Sequence, residues 1–562
     1  MTRLGRNDDA RLSLEQAAAV RPSSYYSLRA ALSLSPVGGQ QNAPSVSADD
    51  DQQFARWIAA RNQDLSAAAA AIASDPALLR AQAEASLGLF REGNWEADEL
   101  LQRYPDRPDR LYVLSRRFMD LGLAGGATLL GKAAYATVSV QTPQDAPAAL
   151  LKVAFPRPFA NLSDSAGSKY GLDGLLLDAT LRDASQFDAW AENAANGARG
   201  LAQISPVHAE EAAQALHASP DDQFRPVAAI EQQAWVLADR LRRYDGRSEV
   251  ALSALGTTDR LVDSWMARPG AEDVDAYIEL IDFEGVRSAV RGLLATRLSY
   301  AVTYGSASAP ADPLLPIQVS PEPTAAWIKI ARLAGDVPPD APLSPPASVG
   351  SAEQQAAFAR GATLQRDGDY EGAAATFTNL VANGTPDVAL EARLRLGQTL
   401  IGAHRPADAL EPLQSAASTR PGGMATFLVA RALAELGRYQ DAADQFAAFA
   451  SANPGPLAAQ AEVAQATCLA DLGRPSEGVA LAEHAAATPG VSRLQTLDFR
   501  EKLALARVRA GDTDGARADY QSLLAIARSG SYRSQLNYYL GVLASDPSTA
   551  AGSFRTAVQL DP

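Results

Sequence analysis

Cysteine is almost missing from this chain of 562 residues: Cys468 is the only one, which excludes an internal disulfide and any metal site built on several thiolates. It lies in an Ala- and Leu-rich helical stretch, where a buried, inert thiol is expected. Histidine is scarce too. His208, His217, His404 and His484 form no His-x-x-x-His pair and stand beside no set of acidic ligands, so no metal site is expected, and no cofactor. Positive charge is the minority sign: 50 Lys and Arg against 65 Asp and Glu leave a formal charge of −15, with no basic stripe. That balance excludes binding to a phosphate backbone, which clustered cations hold by displacing counterions. No apolar run of about 18 residues is present to span a membrane. The first nine residues, Met1 to Asp9, lack the apolar core of a secretory signal.

What is present is helical. The length calls for two to four domains. Residues 1–148 read as a helical, repeat-like region that opens in mid-repeat: Leu4-Gly5-Arg6, then Ala10, Leu14 and Ala17, look like the turn and second helix of a pair whose first helix is missing. A polar loop is expected from Gly38 to Asp51. A second helix-turn-helix signature follows, with Leu87, Leu89 and Phe90 before Gly93-Asn94-Trp95. The aromatics here fall at helical spacing and read as packing between antiparallel helices.

Residues 306–350 hold most of a proline cluster and read as an extended linker with one short helix near Trp327 to Leu333. From Ser351 the chain becomes periodic. Turns at Gly368, Ala403, Gly437, Gly473 and Gly511 are spaced 35, 34, 36 and 38 residues apart. Small residues (Ala373, Ala409, Ala442, Ala516) follow the turns, and Phe377, Phe446 and Tyr520 come after them. This resembles the tetratricopeptide repeat, so 351–562 is expected to be a solenoid offering a protein partner its concave face. A sixth pair, Leu536 to Leu560, ends without a polar capping helix. Both ends therefore read as cut from something longer.

The stretch from Ala149 to Pro206 carries the second resemblance. Phe155-Pro156-Arg157-Pro158-Phe159 leads in, Tyr170-Gly171-Leu172-Asp173 precedes an apolar helix, Asp183-Ala184-Ser185-Gln186-Phe187 follows, and then Gly197-Ala198-Arg199-Gly200-Leu201-Ala202-Gln203. These residues are similar to the SLT-type lytic transglycosylases, in which Glu-Ser-x-Phe on a helix is followed by a Gly-Ala-x-Gly-Leu-Met-Gln turn. The resemblance covers about Leu4 to Gly305, with Tyr300 to Tyr304 in the last helix. It implies an all-α chain whose residues 149–305 form a lysozyme-like α domain that acts on peptidoglycan glycan strands outside the cytoplasmic membrane. That location is at odds with the missing signal, unless export is encoded upstream.

The resemblance also places the family's one acid/base glutamate at Ala184. Such an enzyme needs a carboxylic acid that protonates the glycosidic oxygen and then takes a proton from the muramyl 6-hydroxyl, yielding 1,6-anhydro products without a second carboxylate. A methyl group does neither, and losing a positioned acid/base costs about 10²- to 10⁴-fold in rate. Asp183 points about 100° away on the helix and Asp188 lies a turn further on, and both read as solvated surface acids. Other cleft positions depart as well. Leu255 stands where the family has a tyrosine, and Gly285-Val286 where it has Glu-Thr, with Glu284 one residue early. Ala202 replaces the methionine of the turn.

Losses at several positions point to natural decay of catalysis rather than one engineered change. What the resemblance leaves is a sugar groove: Ser185, Gly200, Leu201, Gln203, Leu255 and Glu279 are the candidate binding residues, with Asp183 and Glu284 as fallback acids. Gln203 either binds an N-acetyl or hydroxyl group or ties the turn's backbone together. Trp190, Trp235 and Trp265 read as core. The expected protein is a catalytically inactive, glycan-binding or scaffolding relative of these enzymes. The rivals are an active transglycosylase with a displaced acid and a pure interaction scaffold.

Overall fold

Helix starts are written into the chain by small oxygen-bearing residues. Ser47, Asp64, Asp75, Asp173, Ser351 and Ser492 each stand one residue ahead of a helix and accept its first free N–H groups. The computed structural model describes residues 7–20, 24–34, 43–138, 140, 145–193, 197–305 and 349–560. Among them are 29 α-helices and no strand; the isolated bridges Glu192–Arg199 and Arg199–Ile204 are the extended pairings. No helix there is long and apolar enough to cross a membrane. The expected Leu4-Gly5-Arg6 turn, the 306–348 part of the proline-rich stretch and its short helix lie outside the described residues.

Two expectations for the first 148 residues need correction. The polar stretch from Gly38 to Asp51 does not stay a loop: the helix Ala48–Ala59 starts inside it, because Ser47 and Asp50 cap each other's backbone N–H reciprocally. Nor do Gly93-Asn94-Trp95 mark the turn. They lie inside the helix Phe90–Arg103, and the turn is at Leu87–Leu89, where Gly88 takes φ +72°. Gly93 is small for packing instead, since a Cβ there would lie 3.0 Å from Leu123.

The helix Gly174–Ser185 runs through the middle of the next part. Leu175, Leu176, Leu177, Ala179 and Leu181 are all buried, and the helix packs against Ala160–Tyr170 and Glu284–Tyr304. Its fully buried Asp178 accepts from Ser163 Oγ (2.6 Å) and pairs with Arg157, so that buried charge is matched.

Beyond residue 350 come six antiparallel helix pairs, from Ala352–Asp367 to Pro547–Leu560. The glycines of four expected turns, Gly368, Gly437, Gly473 and Gly511, have φ between +71° and +82°. At the fifth, His404 takes the left-handed conformation. Ala373, Ala409, Ala442 and Ala516 are fully buried between helices, with Phe377, Phe446 and Tyr520 packed behind. The sixth pair begins at Gly530, ahead of the expected Leu536. Cys468 is buried, and burial pushes its thiol up to about 11, as an inert packing residue requires.

The array does not stand apart. Leu87 inserts among Leu400, Leu413 and Phe427 of the repeats. Gln398 Nε2 donates to the Ala85 carbonyl at 3.3 Å, Arg80 Nη1 to that of Gly490 at 2.8 Å, and Gln495 to Glu84. Arg225 reaches the Gly368 carbonyl at 3.0 Å. Anchored at these points, the repeats bring their last helices to the C-terminal end of Gly174–Ser185.

Candidate functional site

The central helix stops at Ser185 because two successive residues, Gln186 and Phe187, take left-handed backbone at φ +56° and +64°. Phe187 is 1% exposed, so burial of its ring holds a conformation that bulky residues rarely adopt. The chain then makes a tight loop. Gly197 and Gly200 have φ +73° and +68°, and at Gly200 an added Cβ would lie 1.8 Å from the Gln223 carbonyl oxygen. Leu201 is fully buried beneath. Ser185 Oγ donates to the Leu201 carbonyl at 2.7 Å, which fastens the helix end to the turn.

Gln203 Nε2 donates to the carbonyls of Ala191 (3.0 Å) and Gly200 (2.9 Å). Of the two roles open for Gln203, its amide nitrogen takes the one that ties the backbone, and the residue also lines the opening beside it. Ala184 is exposed at the rim of that opening, a space of about 480 Å³ that Asp183, Ser185 and Gln203 also line. Three residues from far along the chain line it too: Ser529, Tyr532 and Gln535, from the turn and helix that open the sixth pair. Local sequence carries no sign of them. Only the closure of the repeat array onto residues 80–87 brings them here.

The acids divide by environment. Asp183 is not a freely solvated surface acid: its side chain is 28% exposed, accepts from Thr296 Oγ1 at 2.9 Å and lies 3.3 Å from Arg182. Burial outweighs those partners and raises its carboxyl above the ordinary range. Asp188 lies beyond the helix end, against Asn94 and the Trp190 N–H. Glu284, the other fallback acid, is bonded to Ser288 and Arg287 on an exposed surface, which holds its carboxyl below the usual range, the wrong direction for a proton donor.

Glu279 is tied to Tyr26 and Arg291 rather than turned to the opening. Leu255 packs half-buried against the domain core. Thus Asp183, Ala184, Ser185 and Gln203 come together at the opening, Gly200 and Leu201 build the floor, and Leu255, Glu279 and Glu284 line none of it. Trp265 is fully buried, and Trp190 stacks on Phe224 with ring centres 6.0 Å apart. Among the described residues no group of His, Cys, Asp and Glu is arranged to hold a metal ion.

This all-helical unit, whose helix ends in Asp-Ala-Ser over a double-glycine turn, is the part of the chain that the family comparison picks out. Residues 161–278 match the model of the transglycosylase SLT domain. Similar solved structures include an inactive mutant of the lytic transglycosylase Slt from Pseudomonas aeruginosa, at 21% identity and TM-score 0.37, over 51% of this chain and 42% of that one. They also include yeast Tom70, at 13% identity and TM-score 0.29, over 90% and 98% of the two chains. A tetratricopeptide protein of Thermus thermophilus is 21% identical, with TM-score 0.26, over 33% of this chain and 98% of its own. No curated protein matches the chain.

Proposed function

We propose that this is a glycan-binding relative of the lytic transglycosylases that has lost catalysis and serves the cell envelope as a binding or scaffolding protein. In this reading residues 149–305 act as the lysozyme-like unit, held between the helices of 1–148 and the repeat array of 351–562, with 306–350 as the tether. The observation that carries it is the opening at the end of Gly174–Ser185: the turn, the floor and Gln203 are in place, while Ala184 presents a methyl group where a proton donor belongs. The substrate of such a groove is a peptidoglycan strand, and the concave face of the repeats is left for a protein partner.

Purified protein is expected to sediment with insoluble murein. If it stays in the supernatant, the groove does not recognise sugar and the protein is an interaction scaffold alone. One observation favours a second reading. Asp183 borders the opening with its carboxyl raised by burial, as a displaced general acid would need. Its ties to Thr296 and Arg182 weigh against that use, and a murein-cleaving activity abolished by Asp183→Asn is the result that would establish it.

A further inference from the structure

The opening at Ala184 is one end of a larger cleft. Glu192, Asn193, Ser529, Tyr532 and Gln535 line both it and an adjoining space of about 920 Å³, so the two are continuous. That volume is ample for several sugar rings. One wall comes from the SLT domain and the Phe90–Arg103 helix; the other comes from the repeat helices Arg493–Arg509 and Gly530–Val542.

The cleft's charge is opposite to that of the whole molecule. Five cations line it (Arg91, Arg199, Arg493, Lys502 and Arg528) against three acids, Glu192, Asp498 and Glu501. Asp498 is taken up by Lys502 at 2.7 Å. Glu501 accepts from Tyr532 Oη at 3.0 Å, and burial raises its carboxyl. Arg199 and Arg528, one from each wall, are exposed and make no ion pair among the described residues. Each wall also supplies one aromatic ring, Trp95 and Tyr532. An unpaired guanidinium and a ring on each side suit a saccharide that carries carboxylates: the rings stack on sugar faces and the arginines fork onto the acid groups.

We propose that the binding groove is composite, with the repeat array forming its second wall, and that Arg528 and Arg199 select glycan strands bearing free carboxylates over neutral ones. This rests on the glycan-binding reading above and adds to it a role for the repeats. It also means that a strand in the groove lies between the two parts of the molecule.

Calorimetry on the full chain with two soluble probes tests it: a tetramer of N-acetylglucosamine, which is neutral, and a GlcNAc–MurNAc tetramer with free lactyl carboxylates. The muramyl probe is expected to bind about tenfold tighter, with an advantage that shrinks as salt rises. Arg528→Ala should bring the two probes to within about twofold of each other, chiefly by weakening the muramyl one. Tyr532→Ala should weaken both about tenfold, and Tyr532→Phe, which keeps the ring, should bind like the unaltered protein. If the unaltered protein binds neither probe, the glycan reading itself fails. If it binds both but the Arg528→Ala and Tyr532→Ala variants match it, or if the two probes bind equally, the composite groove is overturned and the glycan reading stands.

Discussion

On the proposed reading, a methyl group at position 184 removes more than a proton donor. On that reading the carboxyl would be held protonated by its surroundings, and the surroundings here differ too: Leu255, half-buried against the domain core, stands where the resemblance places a tyrosine, and the nearest acid, Asp183, is bonded to Thr296. Ala184→Glu is therefore expected to fold and to keep its affinity for murein within about twofold, since Ala184 is exposed at the rim, while releasing no 1,6-anhydromuropeptides. Recovered cleavage in that variant would show that the glutamate was the sole loss. A restored acid without its neighbours should fall short by the about 10²- to 10⁴-fold that positioned acid/base catalysis provides.

At the scale of elements, the turn that closes the groove rests on Gly200. Its backbone is left-handed, and the Gln223 carbonyl occupies the place where a side chain would begin. Gly200→Ala should cost about 2–4 kcal/mol in chemical denaturation and abolish murein retention, because the turn must move away from Gln223 before any side chain fits. Unchanged stability would mean that the turn is not held as described. This turn was legible in the sequence, as were the central helix and the repeat periods, because each depends on local chemistry: a left-handed glycine, a capping Asp173, alanines where helices approach. Less legible were features that depend on what arrives from elsewhere. Ala48–Ala59 begins inside a stretch that composition marks as loop, because one reciprocal cap outweighs the polar residues around it. Asp183 reads as solvated from its helix position, yet Thr296, 113 residues on, hydrogen-bonds its carboxylate. Tyr532 and Gln535 carry no motif at all.

Across the whole molecule, the joint between the N-terminal helices and the repeats contains a buried acid with a measurable signature. Glu84 is 1% exposed, receives a hydrogen bond from Gln495 and has a second carboxylate oxygen without a partner. Burial, and then the nearby Glu96, push it up to about 9 from an ordinary 4.5. The folded state thus keeps a proton that the unfolded state gives up, so stability is fully present below about pH 4.5 and is lost as pH rises toward 9. Glu84→Gln should match the unaltered protein at pH 4 and be more stable by about 1–3 kcal/mol at pH 8 in urea unfolding. A constant difference across that range would mean that the joint does not hold a protonated acid. Because the same closure carries Tyr532 and Gln535 over Ala184, the joint and the groove are parts of one arrangement. The claim that matters most is that this groove holds a glycan strand and leaves it whole. The most direct measurement is to incubate the full chain with purified murein, confirm that it sediments with the sacculi, and assay the soluble fraction by mass spectrometry for 1,6-anhydro ends. Retention with anhydro ends no higher than in a protein-free control is the predicted result; anhydro ends that rise with time and protein concentration would contradict it.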